Sequence, residues 1–317
     1  MTIEIVPFET AHAPEAAQSF AASLRALRQQ VPALSAKFAD PAIVTERLSH
    51  ARGFAAVERG RLVGHLTSNH PLARFRRTGR TGAYVAEWAH GVTHPNVAEV
   101  YNALHREASR QWVAEGCGVH AISILAHQPA ALETWFRAGF GLALVDAVRP
   151  ATGLGVAVPP GIGIRVAEPD DAPDLARLDD EHVRHYAEPP MFMVPPPATD
   201  EDGWRGFLAA EGNAAVLVED RDGPFGFIRF TNEFDGAAMT EDDTGAFVSG
   251  AFVQPGRRHR GVGAALLDAG LQHLAGRGLH TCALDFESFN PEASAFWPRY
   301  FTPVCNSVMR IPEASVG

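Results

Sequence analysis

Cysteine is scarce in this chain: Cys117, Cys282 and Cys305 are the only three among 317 residues, an odd number set far apart. That pattern excludes a cysteine-built zinc site and points to small buried thiols in a reducing compartment. No run of about 18 apolar residues occurs, so no membrane span is expected. The opening MTIEIVPFETAHAPEAA lacks the basic and apolar regions of a secretory signal, and the chain reads as cytoplasmic. The 29 Gly and 23 Pro follow no fixed period, which excludes a collagen-like chain, and 46% hydrophobic residues exclude disorder. Basic charge is also in deficit, at 27 Lys and Arg against 37 Asp and Glu, which argues against a nucleic-acid partner. The 14 histidines are read as carrying no metal-binding spacing, so no metal is expected.

What is present is length enough for two domains, each able to bury a core unaided. The charge is divided unequally between them: residues 1–155 carry a net +3 and residues 156–317 a net −13. The two parts are also related. GCGVHAISIL from Gly116 matches GRGLHTCALD from Gly276, TGAYV from Thr81 matches TGAFV from Thr244, and the openings at Ile3 and Ile164 both read as strand, turn and helix start. A duplicated module is the economical account, with domains at 1–150 and 164–317. Residues 151–163, rich in Gly and Pro, form the linker.

Each copy reads as a mixed α/β fold rather than a doubly wound one. AAVLVEDRDGPFGFIRF from Ala214 is a hairpin turning at Asp222-Gly223, and FAAVERGRLVGHLT from Phe54 is its counterpart turning at Gly60. GAFVSGAFV from Gly245 is a strand, and the following helix carries a stripe of Leu266, Leu267, Leu271 and Leu274. A further strand runs to Phe286, and Asn290 then caps a helix with Pro291 in its first turn.

The stretch VQPGRRHRGVGAALL, from Val253 to Leu267, sets Arg258, His259, Arg260, Gly261, Val262, Gly263 and Ala264 between that strand and that helix. Unpaired amides at a helix N-terminus, glycines that admit close approach and flanking arginines suit an anion such as a pyrophosphate. Here the chain resembles the GNAT superfamily of acyl-CoA-dependent N-acetyltransferases, whose loop reads Gln/Arg-x-x-Gly-x-Gly/Ala; Arg258, Gly261 and Gly263 fill those positions. The two copies resemble tandem GNAT proteins of mycothiol synthase-like architecture. At the repeat shift of 160, Arg258, Arg260, Gly261 and Gly263 become Ala98, Val100, Tyr101 and Ala103, so the N-terminal copy is expected to have lost the anion site, with Tyr101 blocking it.

The resemblance implies acetyl-CoA as co-substrate, held in a V-shaped gap between two strands by the loop and by backbone amides at Phe252 and Val253. Asn290 would touch the pantetheine arm or simply cap its helix. Where many GNAT enzymes place an acidic tyrosine this chain has Trp297, which leaves Tyr300 as acid or as packing. No carboxylate lies on the strand at Gly245, so Asp285 and Glu287, sharing one face of the next strand, are the candidate bases. The Pro-rich segment 185–204, with Met191, Phe192 and Met193, reads as a lid over the acceptor or as a surface loop.

The expected function is therefore acetyl transfer to the primary amine of a small cationic acceptor, by a monomer or homodimer with neither nucleic acid nor membrane as partner. The alternatives are a non-catalytic acyl-CoA-binding or regulatory protein, and a protein N-terminal acetyltransferase.

Overall fold

The computed structural model describes residues 3–313. In chain order the elements are β1 (Glu4–Pro7), α1 (Ala13–Gln30), α2 (Pro41–Leu48), β2 (Arg52–Glu58), β3 (Arg61–Leu72), β4 (Gly82–Val85), β5 (His90–Val92), α3 (Val97–Ala114), β6 (Val119–Leu125), α4 (Pro129–Arg137) and β7 (Gly141–Pro150). After the linker follow β8 (Gly163–Val166), α5 (Ala172–His185), α6 (Glu201–Ala209), β9 (Ala214–Asp220), β10 (Gly223–Thr231), β11 (Gly245–Val253), α7 (Val262–Gly276), β12 (Thr281–Glu287), α8 (Pro291–Phe296) and β13 (Thr302–Arg310). No described helix is long and apolar enough to cross a membrane.

The chain divides into two compact units. Unit 1 holds the chain up to Ala147, together with Ala237–Thr240 and the described residues from Phe286 onward; unit 2 holds Val148–Gly236 and Glu241–Asp285. These units follow packing, and their limits differ from those of the sequence repeat, because β13 takes a place in the sheet of unit 1.

In unit 1, β1 to β4 are successive antiparallel neighbours, β4 runs parallel to β6, and β13 is antiparallel to β6 from Cys305↔Leu125 to Arg310↔His120. The hairpin between β2 and β3 turns at Arg59 and Gly60, both in the left-handed region, as a tight turn with right-handed strand twist requires. Helix α3 buries Val100, Tyr101, Leu104, Ala108 and Trp112, spaced for one helical face, against a core that includes Trp135, Phe140 and Val308.

In unit 2, β8, β9, β10 and β11 are antiparallel neighbours and β12 lies parallel to β11. Alternation along β10 sends Phe227 to one face, where it packs with Leu175 and Leu178 of α5, Trp204 of α6 and Phe252 of β11. Phe230 goes to the other face, against Gly270 of α7, where an added Cβ would stand 2.5 Å from the ring. Each fully buried side chain of this kind contributes about 2 kcal/mol of apolar burial. The linker is pinned to this unit: Ala151 N–H donates to His280 O at 2.8 Å, and Asp268 accepts the amides of Leu154 and Gly155.

The two units repeat one strand register. Gly82↔Val119 through Val85↔Ile122 in unit 1 matches Gly245↔Thr281 through Val248↔Leu284 in unit 2. The left-handed glycines just past the two helices are Gly116 (φ 79°) and Gly278 (φ 80°). These landmarks lie 162 or 163 residues apart, so the sequence shift of 160 is out of register here.

Candidate functional site

Strands β11 and β12 pair only as far as Val248↔Leu284. Beyond that point β11 stays with β10, to Val253↔Gly226, after a bulge in which Ser249 has no partner between Gly250↔Arg229 and Val248↔Phe230. The parallel pair therefore opens into a wedge, the geometry expected of the family resemblance. A bulge accentuates local twist and bends its strand, which accounts for the departure. Ser249 Oγ is buried at this bulge without a hydrogen-bond partner.

At the far end of β11, Gln254 N–H donates to Phe225 O at 3.0 Å on the β10 side. The carbonyl of Val253 faces the other way and accepts from Arg258 Nε at 2.8 Å. Antiparallel alternation then turns the Val253 amide toward the open side and that of Phe252 toward β10. Of the two amides expected to be free, the geometry favours Val253.

The loop that follows is built by its arginines and its backbone. Arg257 pairs with Asp220 and Asp222 and lies 5.3 Å from the Phe225 ring centroid. Arg258 stands over the Phe252 ring at 5.8 Å. His259 (φ 71°), Arg260 (φ 56°) and Gly261 (φ 82°) are three consecutive left-handed residues. Two of them carry side chains, at about 1–2 kcal/mol each for that conformation. Gly261 is the N-cap of α7, no side chain caps the helix, and no acidic residue lies in its first turn. This turn stands at the positive end of a 15-residue helix with no side-chain cap, with His259 and Arg260 exposed beside it. Such a surface receives phosphate oxygens. An acyl-CoA fits these features: donors for a pyrophosphate, an outward amide at Val253 and an orphan hydroxyl at Ser249.

The remaining sequence candidates fall elsewhere. Asn290 Oδ1 accepts the Ala293 amide at 3.1 Å, so its capping role is the one observed. Helix α8 stops at Phe296, shorter than its sequence pattern suggests, and a 3-10 turn at Trp297–Arg299 follows. Proline at 298 supplies no amide to continue the helix. Tyr300 sits after that turn, half-buried, with its ring 5.0 Å from Phe296. Asn290, Tyr300 and Glu287 belong to unit 1, Asp285 and the loop to unit 2. In the proposed lid, Met191 is buried, Phe192 is 73% exposed and Met193 N–H is held by Tyr186 O, so Met191 does not join an exposed apolar patch.

Three polar groups that sequence reading passed over lie beside β11. Asp179 and His182 share one face of α5, with His182 Nδ1 3.4 Å from Asp179 Oδ1. Glu181, on the same helix, accepts two hydrogen bonds from Gln254 Nε2 at 3.0 Å. An Asp-x-x-His spacing in a helix is the only signal that pointed there.

In unit 1 the loop is absent. Thr93 N–H donates to Val63 O as Gln254 does to Phe225 O, and Val92 pairs with Gly64 as Val253 does with Gly226. From those points the connection to the helix is residues 94–96 in unit 1 and 255–261 in unit 2. The loss is thus a four-residue shortening, and the Tyr101 substitution inferred from the 160 shift is a misalignment. Tyr101 lies within α3, 2% exposed, with its hydroxyl 2.8 Å from His90 Nδ1. Glu99 in the first turn of α3 adds a negative charge where unit 2 has none. Just beyond the end of β4, buried Glu87 accepts the Met239 amide at 2.9 Å, and Asp146 accepts that of Ala237 at 2.7 Å.

One histidine pair corrects the sequence reading: His90 and His94 stand four apart, a spacing that metal sites use. His90 is committed to Tyr101 and to Ser123 O at 2.8 Å, and His94 Nδ1 accepts the Asn96 amide. Among the described residues no cluster of three metal-ligating side chains occurs. Burial pushes the Cys282 thiol up to about 12, which leaves it inert.

A family profile described as "Acetyltransferase (GNAT) family" matches residues 180–301. This segment belongs to the GNAT family. The GNAT segment is an acyltransferase domain, and it contains the wedge and the loop. A GCN5-related N-acetyltransferase from Sphaerobacter thermophilus is similar over 98% of both chains, at 15% identity and a TM-score of 0.57, so the GNAT fold extends across the whole chain. A tandem GNAT protein from the clavulanic acid biosynthesis pathway is similar over 99% of this chain and 100% of its own, at 15% identity and a TM-score of 0.47. No curated protein matches this chain in sequence.

Proposed function

We propose that this protein transfers acetyl from acetyl-CoA to the primary amine of a small cationic acceptor, with unit 2 holding the CoA. The single observation that carries the reading is the uncapped, left-handed run His259, Arg260 and Gly261 at the head of α7, beside the wedge between β11 and β12. In this reading Arg258, His259, Arg260, Gly261, Val262, Gly263 and Ala264 receive the pyrophosphate, while Val253 orients the thioester. A donor aimed at the thioester oxygen stabilises the oxyanion as the amine adds to the carbonyl carbon. Collapse breaks the C–S bond, and the proton leaving the new amide nitrogen ends on the CoA sulfur. Tyr300 stays the candidate acid on this reading, and Asp285 and Glu287 candidate bases. The net charge of −13 on residues 156–317 supports a cationic acceptor, and three buried free thiols support a cytoplasmic setting.

Titration with acetyl-CoA and a panel of agmatine, spermidine, histamine and lysine amide, following release of free thiol, tests the reading. Saturable thiol release with at least one amine is expected. Tight binding with no turnover on any of them, or on N-terminal peptides, would instead support a binding module.

A further inference from the structure

On the acetyl-transfer reading above, we infer that His182, oriented by Asp179, is the base that takes the proton from the acceptor amine. The two side chains sit at i and i+3 on α5, with His182 Nδ1 3.4 Å from Asp179 Oδ1. Asp179 is 1% exposed and accepts the Thr199 amide at 2.9 Å through its other oxygen. Both its oxygens are therefore acceptors, so Nδ1 carries the hydrogen and Nε2 is the basic nitrogen. His182 Nε2 is tied to no described residue, and the side chain is 13% exposed. The imidazole thus has one nitrogen fixed and one available to a substrate.

Its place in the fold matches that role. The His182 ring packs 5.8 Å from the Phe252 ring and 5.9 Å from that of Phe227, directly beside the end of β11 whose next amide faces the open side. Arg229 connects the pair to the strand bulge: its Nη1 lies 3.9 Å from Asp179 Oδ2, while its Nε donates to Ser249 O at 3.2 Å. The neighbouring Glu181 ties α5 to Gln254. Arg229 thus joins the dyad to the bulge through an ion pair and a hydrogen bond, and Glu181 ties the same helix to Gln254 just before the loop. Burial works to raise the Asp179 carboxyl, yet the hydrogen bonds from His182 and Thr199 and the nearby Arg229 charge outweigh it and hold the group below its ordinary value. A carboxylate that remains charged keeps the imidazole tautomer fixed.

The step balances without a further reactant. His182 Nε2 takes one proton from the ammonium form of the acceptor, and the free amine attacks the thioester. The tetrahedral adduct passes its remaining excess proton to sulfur, and the imidazolium returns its proton to solvent. A positioned base of this kind contributes about 100-fold to 10,000-fold.

The test compares wild type, His182→Gln and Asp179→Asn in acetyl-CoA binding and in kcat/KM against pH, with spermidine and agmatine as acceptors. His182→Gln is expected to keep acetyl-CoA affinity within about twofold, to lose about 100-fold or more in kcat/KM at neutral pH and to regain rate as the amine deprotonates by itself. Charged and titrating groups around the imidazole are Asp179 and Glu181 on its own helix, Tyr186 behind it, Arg229 on β10 and Arg258 over Phe252. Without His182 the rise of the profile should follow deprotonation of the acceptor amine itself and lie at higher pH than in wild type, and Asp179→Asn should displace it in the same direction. Should Asp179→Asn fail to fold, His182→Gln alone decides. An active wild type with a His182→Gln variant of equal rate and unchanged profile would overturn the dyad and leave acetyl transfer standing. A wild type that binds acetyl-CoA but acetylates no amine would overturn the transfer reading and the dyad with it.

Discussion

The two strand-to-helix connections, residues 94–96 and 255–261, start from matching hydrogen bonds and end in very different surfaces. In unit 1 the shorter connection leaves no left-handed run, and Glu99 brings negative charge to the helix start. In unit 2 the longer connection ends in the left-handed run His259, Arg260 and Gly261, and no side chain caps the helix. A fold can therefore keep the register of its parallel strand pair while the connection that follows differs by four residues. The same contrast appears at the strand ends, where unit 1 has buried Glu87 and Asp146 holding Ala237–Thr240, and unit 2 has the bulge at Ser249.

The largest expected effect separates the two loops. Arg258→Ala combined with Gly261→Tyr should weaken acetyl-CoA binding by about 100-fold or more, roughly 2.8 kcal/mol, whereas Asn96→Gly should leave it unchanged; calorimetric titration reads both. Equal losses would break the comparison.

Acid sensitivity should differ next. Burial drives His65 down to about 3 and His90, His105 and His120 down to about 4, all in unit 1. These groups are neutral when folded and protonate on unfolding below pH 6.5. The stability they confer is thus complete above 6.5 and is lost as pH falls toward 4. Proteolysis or hydrogen exchange across that window should show unit 1 opening before unit 2, and simultaneous opening would count against the assignment.

Smaller effects concern packing. Glu87→Ala should cost about 1–3 kcal/mol, the penalty of leaving the buried Met239 amide without its acceptor, and should speed exchange of that amide. Gly270→Ala should cost about 1–3 kcal/mol through overpacking against Phe230, read as a lower melting temperature. If Gly270→Ala were neutral, α7 would pack less closely on β10 than described.

Local signals were the legible ones. The hairpin between β9 and β10 and the leucine stripe of α7 are each written in a few adjacent residues and each is observed, although the hairpin turns at Arg221-Asp222, one residue before the Asp222-Gly223 signal. Relations between distant segments were hidden. Asp179 and His182 become a pair beside β11 only because Arg229 and Phe252 arrive from other strands. No local pattern shows that Ala237–Thr240 and the stretch from Phe286 pack with unit 1. The loop alignment failed because a four-residue length difference and a longer α3 offset one another, so that matching glycines 160 apart concealed a true spacing of 162.

The measurement closest to the central claim is the stoichiometry of acetyl-CoA binding, taken by calorimetry on the full chain. One molecule per chain, lost in the Arg258→Ala, Gly261→Tyr variant, is the predicted result. Two molecules per chain, or one that survives that double substitution, would contradict the account.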